Sequence, residues 1–138
     1  MKLSTLVLSI CLLLTACSQN ADAPKETVKK ASVETTATKQ LRHVVLFKFK
    51  EGTAEADIKK VEAAFSALPS KIPAIKGYEW GTDNSPEGLA KGFTHCFFLT
   101  FDSEEGRAIY LPHPDHKAFG AVLTPFLEDV LVLDYWIK

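Results

Sequence analysis

The chain is poor in cysteine, with three in 138 residues, and it holds no CxxC pair, no glycine-rich phosphate loop and no Ser-His-Asp pattern. Paired-thiol redox chemistry, P-loop nucleotide binding and serine hydrolysis therefore have no footing. A charge excess is missing too: the formal net charge is -1 and 24% of residues are charged. Nonspecific electrostatic binding to DNA or RNA is excluded, so nucleic acid is not an expected partner. The apolar run Leu3–Leu14, twelve residues broken by Ser4, Thr5 and Ser9, falls short of the ~20 that cross a bilayer. At this length the chain fills one domain.

What is present begins with Met1-Lys2, the apolar run and then Leu14-Thr15-Ala16-Cys17. A positive start, an apolar stretch and small residues read as a secretory signal peptide over residues 1–16. The last four residues resemble the bacterial lipobox, in which the cysteine sulfur receives diacylglycerol and acyl chains such as palmitate. Lipidated Cys17 would anchor the mature protein to a membrane, since more than one chain on a residue holds where a single chain is marginal. Ordinary cleavage with a free Cys17 is the alternative. Ser18 after the cysteine places the protein in the cell envelope, at the outer membrane facing the periplasm if the host is Gram-negative. With Cys11 lost and Cys17 lipidated, Cys96 is left alone, and a disulfide framework is excluded.

Residues 17–40 carry no aromatic side chain and are rich in Thr, Ala, Lys and Glu. Such a segment cannot bury enough surface to offset its ordering entropy and reads as a linker. Random-coil scaling gives it a reach of roughly 25 to 30 Å. Five of the lysines and three of the acidic residues precede Leu41, so the domain from Leu41 to Lys138 keeps 11 basic against 14 acidic residues.

Within that domain, Leu41–Phe49 alternates His43, Val45, Phe47 and Phe49 with Arg42, Val44, Leu46 and Lys48, the period of a strand. Ile58, Val61, Phe65 and Leu68 recur at helical spacing from Thr53 onward, with Pro69 as the expected stop. A second strand is expected near Lys76–Thr82 and a third over Phe93–Phe101, which sets His95, Phe97, Leu99 and Phe101 on one face. Asp102 and Glu105 have capping-box spacing for a short helix through Tyr110. Pro114 suits the first position of another helix, with His113 as its cap and His116, Phe119, Gly120, Leu123 and Leu127 as its inner stripe. Val130–Ile137 closes the chain as a strand. This βαββαβ order predicts an α+β, ferredoxin-like antiparallel sheet with its helices on one face. The other face, carrying Val44, Leu46, Thr94, Cys96, Phe98 and Thr100, would be left apolar and exposed, so a twofold homodimer with facing sheets is expected.

The stretches RHVVLFKFK, IPAIKGYEWG, NSPEGLAKGFTHCFFLTF, RAIYLPHPDHKAF and VLVLDYW are similar to the stress-responsive dimeric α+β barrel (Dabb) domain family. The resemblance spans residues 41–138 and implies the same fold and dimer. One plant member of that family is a polyketide cyclase that needs no cofactor and uses a Tyr and a His as an acid-base pair. The resemblance implies Tyr110 and His116 as the catalytic pair and His43 and His95 as ligand-binding neighbours. Phe65 stands where that enzyme has a tyrosine, and with Phe97 it is expected to wall the ligand site.

The residues themselves allow this chemistry. His43 and His95 are expected side by side, on central strands taken as parallel. In the first turn of its helix, the positive end of the dipole disfavours a cationic ring at His116, which then serves as a proton acceptor. His43 and His95 also fit plain core histidines, taken one at a time. The His113-x-x-His116 spacing is a poor metal site because Pro114 turns His113 aside. No metal and no cofactor are expected. Three readings remain: a small-molecule binder with a partly apolar ligand, a cofactor-independent lyase or cyclase, and a structural stress-protective barrel.

Overall fold

A computed structural model describes residues 39–138. The expected signal peptide, the lipidation at Cys17 and the linker up to residue 38 lie outside the described residues. The elements run β1 (Leu41–Phe49), α1 (Glu55–Ser66), α2 (Leu68–Lys71), β2 (Gly77–Thr82), β3 (His95–Phe101), α3 (Glu104–Tyr110), α4 (Pro114–Leu123) and β4 (Leu127–Trp136). The four strands form one antiparallel sheet in the order β2-β3-β1-β4. This is the ferredoxin-like arrangement expected from the alternation of patterns.

One face of the sheet is buried because alternate residues of β1 and β3 are apolar or aromatic. Leu41, Val45 and Phe47 of β1 and Phe97, Leu99 and Phe101 of β3 are buried with Val61 and Phe65 of α1 and Phe119 and Leu123 of α4. The rings form a continuous cluster in which Phe65 stacks on Phe97 at 4.2 Å and meets Phe119 edge to face at 4.8 Å between centroids. Contacts of this geometry add to the area that the rings remove from water.

Several boundaries differ from the sequence reading, each for a local reason. Pro69 does not end the helical region; it sits in the first turn of α2, where a missing N–H costs nothing. The cap of α3 is Ser103, whose hydroxyl accepts from the Gly106 N–H at 3.2 Å, in place of Asp102. Leu127 belongs to β4 and not to the stripe of α4. The helix stops at Leu123, because Pro125 has no N–H to continue it, and β4 starts three residues earlier than expected.

The larger correction concerns the central strands. β1 and β3 are antiparallel, with His43 opposite Leu99 and His95 opposite Phe47. The two histidines are therefore four residues apart along the sheet, about 13 Å at the usual rise per residue. The strand between β2 and β1 arrives by a hairpin from β2, and that reversal makes it antiparallel to both neighbours.

Candidate functional site

α3 ends at Tyr110 and α4 starts at Pro114, so a short corner reverses the chain between them. The His113 N–H donates to the Tyr110 carbonyl at 3.0 Å. The ring Nδ1 of His113 then accepts from the Asp115 N–H at 3.2 Å and caps α4. Pro112 and Pro114 fix this corner, and it brings the rings of Tyr110 and His116 to 4.2 Å between centroids. An unbroken helix would have pointed residues six apart well away from each other.

Beneath the corner is a cavity of about 360 Å³ between the sheet and the helices α3 and α4. Its polar border is His43, Tyr110, His116 and Asp134, and its walls include Val45, Phe47, Phe65 and Phe119. Of the residues singled out in the sequence, His43, Phe65, Tyr110 and His116 meet here. His95 and Phe97 do not line this cavity. Phe97 is fully buried beneath Phe65. The His95 Nε2 faces a Glu62 carboxylate oxygen at 3.0 Å, and its Nδ1 faces the Thr94 hydroxyl at 2.8 Å. Both ring nitrogens of His95 are thus engaged by neighbours at the far end of the sheet, as in a satisfied core histidine.

The two imidazoles of the cavity are oriented by their hydrogen bonds. The His116 Nδ1–H donates to the Leu111 carbonyl at 2.9 Å, so in the neutral ring Nε2 is the acceptor. The His43 Nδ1–H donates to the Asp134 carboxylate at 2.9 Å, so its Nε2 is also an acceptor. His43 is 5% exposed, and burial lowers its proton affinity below the ordinary value despite the opposing pull of Asp134. Burial pushes the phenol of Tyr110 well above the ordinary range, so it stays protonated. Its hydroxyl has no hydrogen-bond partner among the described residues, while no fully buried polar atom there is left unpartnered, so the hydroxyl opens to the cavity.

Two residues escaped the sequence reading. Asp134 lies directly opposite His43 in the β1-β4 register. Arg107, one helical turn before Tyr110 on α3, reaches the same Asp134 oxygen at 3.2 Å. A lone acid in the apolar run VLVLDYW was the available signal, since alternation sets it on the face of Val130 and Val132.

A phenol donor between two imidazole acceptors, in an otherwise apolar hollow, can hold a ligand oxygen and exchange a proton with it. The chain is similar to Arabidopsis thaliana stress-response A/B barrel domain-containing protein HS1, at 38% identity over 69% of this chain and 87% of that one. It is also similar to olivetolic acid cyclase of Cannabis sativa, at 35% identity over 69% of this chain and 94% of that one. Among solved structures, hydroxynitrile lyase from Passiflora edulis superposes with a TM-score of 0.68 at 30% identity, covering 73% of this chain and 95% of that one. A dimeric ferredoxin-like protein of unknown function from Thermobifida fusca gives 0.62 at 31% identity, over 73% and 93%. The profile of the stress responsive A/B barrel domain, Dabb, matches residues 41–137, and the chain belongs to that family.

Proposed function

We propose that the protein is a homodimer, tethered to a membrane through lipidated Cys17, that binds a small, uncharged, partly apolar carbonyl or aromatic compound in the cavity. The observation that carries this reading is the meeting of Tyr110, His43 and His116 on one apolar hollow, each with a hydrogen-bonding atom to offer. A purely structural barrel has no use for three such groups around an open space. The dimeric state of the Thermobifida fusca relative supports the homodimer. The resemblance of Leu14-Thr15-Ala16-Cys17 to a lipobox, with Ser18 after it, supports an anchor in the cell envelope, at the outer membrane facing the periplasm if the host is Gram-negative. Native mass spectrometry of the purified protein, with a screen of neutral aromatic ketones and phenols, tests the reading. A bound species lost in the His43→Ala and Tyr110→Phe variants is expected, and an empty cavity that takes no compound would refute it.

The short Tyr110–His116 approach favours a second reading, a cofactor-independent lyase or cyclase. Two enzymes among the relatives, a cyclase and a hydroxynitrile lyase, support it. Tyr110 would donate a hydrogen bond to a carbonyl oxygen while His116 Nε2 takes a proton from the adjacent carbon. The C–H electron pair then moves toward the oxygen that Tyr110 holds. His116→Ala should abolish turnover of a substrate found by screening and leave the fold intact.

A further inference from the structure

The two imidazoles of the cavity are held differently. His116 is fixed by a neutral backbone carbonyl of its own corner. His43 is fixed by a carboxylate, and that carboxylate is itself held by a guanidinium from a third element. The chain Arg107–Asp134–His43 thus joins α3, β4 and β1 through one shared Asp134 oxygen, at 3.2 Å and 2.9 Å.

Asp134 stands partly exposed on the edge strand β4, on the same side as Val130 and Val132 of the cavity wall, with one carboxylate oxygen shared between His43 and Arg107. Arg107 lies three residues before Tyr110, so one face of α3 delivers both the anchor of Asp134 and the phenol. The rings of His43 and Tyr110 meet edge to face at 5.7 Å, and His116 contacts the same phenol. Tyr110 is thus bordered by two imidazoles, of which one is oriented by charge.

We infer that Asp134 is a positioning residue that fixes His43 as a second proton acceptor of the site, with Nδ1 carrying the hydrogen and the Nε2 lone pair given to the ligand. Arg107 keeps the Asp134 oxygen in place. This rests on the reading that the cavity binds a small neutral ligand, and it narrows the class. The ligand group that meets His43 is a donor, such as a hydroxyl, a phenol or an activated C–H, while the group that meets Tyr110 is an acceptor. A carboxylate at His43 is disfavoured, because the neutral ring offers it no hydrogen there and Asp134 already supplies a negative charge beside the ring.

The test reads the tautomer directly, by long-range proton-nitrogen NMR of the histidine rings in the ligand-free protein. Wild type should show His43 protonated at Nδ1 alone. Asp134→Asn keeps an oxygen acceptor and should preserve that pattern, while Asp134→Ala should give a mixture of tautomers, with circular dichroism confirming the fold of both. Phenol, as a neutral probe, should then bind Asp134→Ala roughly fivefold more weakly than wild type, the share of one ordinary hydrogen bond. Protonation at Nε2 in wild type, or a His43 pattern and phenol affinity unchanged in Asp134→Ala, would overturn the inference. If the tautomers behave as stated but phenol does not bind wild type, the positioning role stands and the ligand-binding reading fails.

Discussion

Tyr110 is 1% exposed, yet its hydroxyl is left to the cavity. Its ring is held by contacts with His43, Phe101 and His116, so the ring serves the fold and the oxygen serves the ligand. Tyr110→Phe should therefore change unfolding free energy by less than about 1 kcal/mol, since no protein hydrogen bond is lost. Ligand affinity should fall in the same variant, and calorimetry with thermal melts separates the two effects. His43 makes a different prediction, about pH. Burial holds its folded-state proton affinity below the ordinary value of 6.5, so the unfolded chain binds that proton more tightly. Its contribution to stability is complete above 6.5 and is lost as pH falls through that value toward the lower folded one. Melting temperature should fall more steeply below pH 6.5 in wild type than in His43→Gln. Parallel curves for the two proteins would show that His43 does not contribute in this way.

At the scale of elements, the site depends on where α3 starts, because that helix carries Arg107 and Tyr110 as one unit. Ser103 sets the start by accepting the Gly106 N–H, and Ser103→Ala should cost about 1 kcal/mol. Chemical denaturation measures the loss, and ligand affinity should drop with it if fraying of the first turn lets Arg107 leave Asp134. The element types were legible because each has a clear period: alternation in LRHVVLFKF, helical spacing of Val61, Phe65 and Leu68, and Pro114 opening α4. The Tyr110–His116 approach was legible as well, since two prolines between them rule out a continuous helix. The misplacement of His95 came from strand direction: the antiparallel sheet expected from the βαββαβ order already sets β1 against β3, and taking the two as parallel put His43 and His95 side by side instead of at opposite ends. What was not legible is register, since the His43–Asp134 pair joins residues 91 apart that only the β1-β4 register brings together.

At the scale of the whole molecule, helices among the described residues cover one face of the sheet and leave the other bare. Val44, Leu46, Cys96 and Phe98 lie on the bare face with Leu131, Leu133 and Tyr135 of β4, which are 42%, 54% and 48% exposed. Arg42 lies on that face too, over the Phe98 ring at 5.1 Å. Burial keeps the Cys96 thiol protonated, as suits a small apolar side chain in such a surface. An apolar area of this breadth is stable in water only when covered, and a second copy of the same face would cover it with Val44, Phe98 and Leu133 at the centre. Leu133 neighbours Asp134 but points to the opposite side of the sheet, so a change there reaches the dimer and spares the cavity. Leu133→Asp would bury an unpaired charge twice in a twofold interface, at a cost of several kcal/mol. Analytical ultracentrifugation should show a dimer for wild type and a monomer for Leu133→Asp, with the helical circular dichroism signal retained. A Leu133→Asp protein that still sediments as a dimer would mean that the copies meet elsewhere, and the bare face would then need another partner.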